Sequence, residues 1–120
     1  MSDELPILDV SGLAELRASV GDDENFVRDL VGTFLAEEPN NLELVAAAAA
    51  RGDAEAVIRP AHTLKSSAAA IGAARLSSIC RQLEFAGREG RSGDLAALTE
   101  EARAAWAATV EALRAQGLAT

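Results

Sequence analysis

Along the chain, apolar residues recur every three or four positions, the helical period, and the periodic stretches are punctuated by Gly, Asp and Pro. Residues 1–8 read as a short tail, with Pro6 opposing early helix propagation and Ile7 and Leu8 able to tuck against the rest. A first short helix is predicted from Asp9 or Ser11 to Val20, with Leu13 and Leu16 inward and Gly21 as its stop. Asp22 is the expected N-cap of the second helix, with Asp23 and Glu24 in a first turn where the helix dipole favours negative charge. Phe26, Leu30 and Phe34 repeat at i, i+4, i+8, and Val27, Val31 and Leu35 widen the buried face to about residue 38. Pro39, beside Asn40 and Asn41, predicts an interruption. Leu42, Leu44, Val45 and the run Ala46–Ala50 then resume a helix that ends at Arg51-Gly52.

Asp53 can cap a central helix that stops at Gly72, a predicted left-handed C′ position. Pro60 lies inside it, which predicts either a bend just before residue 62 or a later helix start. The next helix takes Ala74 to Gly87 or Gly90, with Leu76, Ile79, Leu83 and Ala86 inward, and residues 88–93 form a polar turn. The last starts near Ser92 or Asp94 and carries Leu95, Leu98, Ala102, Ala105, Trp106, Thr109 or Val110, and Leu113, before Gly117 frays it. Amphipathic helices joined by short turns predict an all-α antiparallel four-helix bundle with a short additional N-terminal helix, as one domain over residues 9–117.

Composition narrows the chemistry. At 120 residues there is room for one core, and alanine abundance with only four aromatic residues (Phe26, Phe34, Phe85, Trp106) favours closely packed helices. One Cys excludes an internal disulfide, and one His with one Cys cannot by themselves fill a zinc site. Cys80 falls on the stripe of Leu76, Ile79 and Leu83 and reads as a small core residue. No apolar run approaches the ~20 residues of a membrane span, and the N-terminus is acidic where a signal peptide is basic, so the expected location is the cytoplasm. The initiating Met and short tails suggest a stand-alone module.

A net charge of −8 argues against nucleic-acid binding, which rests on neutralising phosphates. The charge is uneven: residues 59–91 hold six cations against two acids, a local +4, leaving −12 for the remainder. That basic third contains the chain's single histidine, His62. Because a helix turns about 100° per residue, Val57, Ala61, Leu64, Ala68 and Ile71 form one apolar stripe, and His62 projects roughly 140° from its centre. It therefore faces water, with Ile58, Arg59, Lys65, Ser66 and Ala69 as neighbours. A lone helical histidine is more often a surface residue without a role or a satisfied core group. A cation one turn away, small residues at 66–70 that leave the ring accessible, and the lack of a competing site elsewhere point instead to function.

The run Ala61-His62-Thr63-Leu64-Lys65-Ser66-Ser67, then Ile71-Gly72-Ala73, Leu76, Cys80 and Leu83-Glu84, resembles the signature of histidine-containing phosphotransfer (HPt) domains. Phe26, Leu30 and Phe34 before the Gly52-Asp53 turn look like that family's second-helix region, so the resemblance spans roughly residues 8–117. It implies a four-helix bundle whose exposed His62 accepts a phosphoryl group from an aspartyl phosphate on one receiver domain and passes it to another, with Lys65 as the cation one turn later. Partners would be receivers of response regulators or hybrid histidine kinases. Ser66 stands where the family most often has Gly.

The chemistry agrees: the imidazole group, with an ordinary pKa of about 6.5, is a competent nucleophile near pH 7. Lys65 at i+3 can oppose protonation of the ring and neutralise phosphoryl oxygens. No acidic cluster for a metal adjoins His62 and no glycine-rich nucleotide loop is present, so the expectation is no cofactor of its own, with Mg²⁺ and most catalytic groups supplied by the receiver. For docking, Ile58 and Ala69 offer apolar contact, with Arg59, Lys65 and Arg75 or Arg81 at the rim. Glu84 reads as structural rather than as an acid catalyst. Two other readings are a helical adaptor that docks receivers or kinases without taking phosphate, and a histidine kinase dimerisation hairpin; the breaks at Pro39 and Gly72 count against the second. The chain is expected to be monomeric.

Overall fold

A computed structural model describes residues 5–119. Its elements are α1 (Val10–Ser19), α2 (Glu24–Ala50), α3 (Ala54–Ala70), α4 (Ala74–Arg88), a 3₁₀ turn (Ser92–Asp94) and α5 (Leu95–Ala115). The fold is all-helical among the described residues. Contacts run between α2 and α3, α3 and α4, α4 and α5, and α2 and α5, with α1 laid against α2. At about 1.5 Å per residue the 27 residues of α2 span about 40 Å, which accounts for the 43 Å long axis of the molecule.

The helix ends follow local chemistry. Asp23, rather than the expected Asp22, caps α2, its carboxylate accepting from the Phe26 N–H at 3.1 Å. Asp22 instead takes a left-handed φ of 59° and donates its N–H to the Arg17 carbonyl, closing the end of α1. Asp53 caps α3 through the Ala56 N–H at 3.1 Å, so the helix starts before Pro60 and runs through it. α3 ends in a Schellman pattern: Ala73 N–H donates to the Ala68 carbonyl and Gly72 N–H to that of Ala69, with Gly72 at φ +80°. A Cβ at Gly72 would also lie 3.1 Å from the Asp9 carbonyl, whose residue donates its N–H to the Gly72 carbonyl at 2.7 Å.

Two expectations for α2 are overturned. Pro39 does not interrupt it. Losing one backbone hydrogen bond and clashing with the preceding turn costs about 3 kcal/mol, whereas burying Leu42 and Val45 beyond the proline returns roughly 1.5–3 kcal/mol each. The buried face is also narrower than expected: Val27, Val31 and Phe34 are buried as expected and continue inward through Glu38, Leu42, Val45 and Ala48, while Phe26, Leu30 and Leu44 are exposed. Phe34 stacks on Trp106 with ring centroids 5.1 Å apart.

The remaining inward positions agree with the sequence pattern: Val57, Ala61, Leu64, Ala68 and Ile71 from α3 and its end, Leu76, Ile79, Cys80, Leu83 and Ala86 from α4, and Leu95, Ala102, Ala105, Thr109 and Leu113 from α5. Thr109, not Val110, takes the buried place, its hydroxyl donating to the Ala105 carbonyl. Leu8 is buried and Ile7 half-buried, as expected of the tail. That segment also serves α4, whose Arg75 N–H donates to the Pro6 carbonyl where no side chain caps the helix. Residues 1–4 of the expected tail lie outside the described residues, and among those described no helix is long and apolar enough to cross a membrane.

Gly87 of α4 packs directly against the start of α3. A Cβ there would sit 2.7 Å from the Ala54 carbonyl oxygen and 2.9 Å from Ile58 Cγ1. Gly87→Ala should therefore force the two helices apart and cost about 1–3 kcal/mol, read as a lower midpoint in urea at unchanged slope.

Candidate functional site

His62 stands on α3 with its side chain 55% exposed, on the wet side as its angular position requires. Across from it, near the C-terminal end of α4, Glu84 is buried. Contacts pair Ala54 with Gly87, His62 with Glu84 and Lys65 with Ser77, so α3 and α4 run in opposite directions and present these side chains to one another. Glu84 Oε2 lies 3.1 Å from His62 Nδ1, and Oε1 accepts from Lys65 Nζ at 2.7 Å. Arg88, one turn further along α4, donates to Oε2 from Nη2 at 2.8 Å and Nε at 3.3 Å. The Ser77 hydroxyl donates to the Lys65 carbonyl at 3.0 Å, tying the backbone of α3 to α4 at the same level.

One carboxylate thus collects a histidine, a lysine and an arginine. The Lys65 ammonium first, and then the Arg88 and His62 donors, hold the Glu84 carboxyl at about 2, against the 4.5 of a free glutamate and against the opposing effect of burial. An ionised carboxylate only accepts hydrogen bonds, so the Nδ1 of His62 must carry a proton. In the neutral ring the lone pair then resides on Nε2. The arrangement can hold an imidazole in one tautomer and orientation, with a cation close by.

The other expected site residues are distributed around this cluster. Lys65 is on the His62 face, but its ammonium is bonded to Glu84 rather than free. Arg59, Ser66 and Ala69 are exposed, and Ile58 is half-buried, leaning on α4 at Gly87. Ala69 lines a shallow groove with Lys65, Ser77, Ser78 and Arg81, which keeps Arg81 near the site. Arg75 points elsewhere: its guanidinium donates to the Leu5 carbonyl at 2.8 Å. Gly72 is the buried end of the helix, its N–H donating to the Ala69 carbonyl. Among the described residues no cluster of three or more His, Cys, Asp or Glu side chains is placed to hold a metal ion.

Two participants were not assigned a role from sequence. Arg88 is one of the six cations of residues 59–91, and its i+4 spacing from Glu84 is the signal that marks it. Glu38, on the inward line of α2, accepts from Ser67 Oγ at 3.1 Å and from Asn41 Nδ2 at 3.0 Å, pinning α2 to α3 five residues beyond His62. Cys80 is a core residue, its thiol pushed up to about 12 by burial and by the charge of Glu38.

A family model for the Hpt domain matches residues 29–116. The chain belongs to the Hpt domain family. The Hpt match runs from within α2 to the end of α5, and includes both helices that build the His62–Glu84 cluster. Among solved structures, the histidine-containing phosphotransfer protein B (HptB) of Pseudomonas aeruginosa PAO1 is similar, with a TM-score of 0.80 and 28% identity over 94% of this chain and 96% of that one. No curated protein matches the sequence.

Because the Glu84 carboxyl is held at about 2 in the folded protein and returns to about 4.5 on unfolding, its contribution to stability is fully present above pH 4.5 and disappears as pH falls toward 2. Denaturant titrations should show wild type more stable than Glu84→Gln near pH 6, with the gap closing between pH 4.5 and about 2.

Proposed function

We propose that this Hpt protein relays phosphoryl groups between receiver domains through phosphohistidine at His62. Histidine phosphotransfer within phosphorelays, between receiver domains, is the work of the family. The observation that carries the reading to His62 is the Glu84 carboxylate on Nδ1, which leaves Nε2 as the nucleophile on a ring half open to solvent. The Nε2 lone pair attacks phosphorus in line with the departing aspartyl oxygen. The ring keeps its Nδ1 proton, and Glu84 balances the positive charge that develops on it. Lys65 supplies the positive charge nearest the incoming phosphoryl oxygens.

Phosphoryl transfer depends on positioning and on neutralising the transferred oxygens, to which Mg²⁺ contributes. In this reading the ion and most catalytic groups come from the receiver, and the chain works without a cofactor of its own. It is a carrier rather than an enzyme with turnover of its own. α2 to α5 serve as the antiparallel four-helix bundle that displays the site, with Ile58, Arg59, Ser66, Ala69 and Arg81 as the docking surface around it. The reading makes the carrier a cytoplasmic monomer.

A phosphorylated receiver with Mg²⁺ should label the protein with an acid-labile, alkali-stable phosphoryl group, and His62→Gln should abolish the label entirely. Undiminished labelling of that variant would place the acceptor elsewhere, and receiver binding without any label would favour a docking adaptor.

A further inference from the structure

Resting on that phosphotransfer reading, the ion pairs around Glu84 pose a conflict. The cation expected to neutralise the phosphoryl group is already engaged, since Lys65 Nζ lies 2.7 Å from Glu84 Oε1. Glu84 is buried, so if Lys65 simply left it, an uncompensated carboxylate would remain inside the protein beside a newly arrived dianion. Arg88 resolves the conflict. It reaches the other oxygen, Oε2, through two donors of its planar guanidinium, and being on α4 itself it needs no movement of α3 to stay there. Its own side chain is 59% exposed, so its charge remains well hydrated while it holds the buried carboxylate. Lys65, by contrast, ends in a rotatable ammonium with three donors on a flexible stem, suited to changing partners. The groups bonded together here are His62 and Lys65 from α3 and Glu84 and Arg88 from α4.

We propose that Arg88 is a positioning residue for phosphate carriage: it retains Glu84 as a satisfied, ring-orienting carboxylate while Lys65 turns from Glu84 to the phosphoryl oxygens on His62. In the transfer, the Nε2 lone pair forms the N–P bond and the P–O bond to the donor aspartate breaks. Its electron pair leaves on that carboxylate, and the Nδ1 proton stays between the ring and Glu84. The charge exchange follows without any further bond being made or broken. Arg88 therefore acts through Glu84 and Lys65, with no contact to phosphate.

The test uses the whole protein phosphorylated with potassium phosphoramidate, whose P–N bond breaks with ammonia as leaving group, so that no receiver is needed. Phosphorus NMR at varied pH follows the second ionisation of the phosphoryl group, which a nearby cation holds down. Arg88→Gln should raise that midpoint by about half a pH unit, because Lys65 stays with Glu84, and Arg88→Lys should restore most of the wild-type value. In a Glu84→Gln background, where no carboxylate claims Lys65, Arg88→Gln should have no effect. A surface helix pair with only a structural role would lower thermal stability and leave the phosphorus titration where it was, overturning the proposal. A shift that persists in the Glu84→Gln background would also overturn it, since Arg88 would then be acting on the phosphate directly. Failure of wild type to form any phosphohistidine at His62 would instead remove the phosphotransfer reading, and this inference with it.

Discussion

The Glu84 carboxylate is the interaction on which the site depends. It is a buried anion whose hydrogen bonds come from three basic side chains on two helices, His62 and Lys65 of α3 and Arg88 of α4. A buried charge is tolerated only where its partners are complete, so the carboxylate in turn dictates where those partners stand. The histidine gains an orientation and a tautomer that its own helix could not impose, since a half-exposed imidazole on an isolated helix is free to rotate. The physical basis of the site is therefore an interhelical contact rather than a motif on one helix.

That contact requires α3 and α4 to lie close and in a fixed register. Gly87 allows the close approach, because any side chain there would strike the Ala54 carbonyl. The three-residue connection from Ile71 to Ala73 then leaves little freedom for one helix to slide along the other. The N-terminal segment reinforces the same corner: Asp9 bonds to Gly72, and the Pro6 carbonyl receives the first free N–H of α4. On the other side, Glu38 joins α2 to α3 through Ser67. These fastenings hold the backbone beneath His62 from both neighbouring helices.

A carrier of this kind has to bind phosphate without keeping it. A cation committed only to the phosphoryl group would hold it in place and slow its departure. On the proposed reading, a cation shared between an internal carboxylate and the phosphate is committed to neither. Charge around the site is uneven as well, since residues 59–91 carry a local excess of positive charge on an otherwise acidic chain.

Much of this was legible in the order of residues. Periodicity and caps marked the helices, including the start of α3 at Asp53 and its end at Gly72, because those features depend on bonds between residues only a few positions apart. The same local reasoning put His62 on the wet face, with Lys65 beside it. Local rules failed where distant packing outweighed them. Pro39 stands inside a continuous helix because Leu42 and Val45 beyond it are buried by other helices. The inward line of α2 passes through Val27 and Val31 rather than Phe26 and Leu30, a choice set by the neighbours α2 meets. Glu84 was visible as a residue and its role was not, since a carboxylate 22 positions from His62 becomes its partner only when α4 folds back along α3. The sequence by itself determined where most helices begin and end and that His62 faces water; the tertiary structure alone decided that α2 runs through Pro39, which ring nitrogen is left free and which cations are shared, because these depend on contacts between residues that only packing brings within reach.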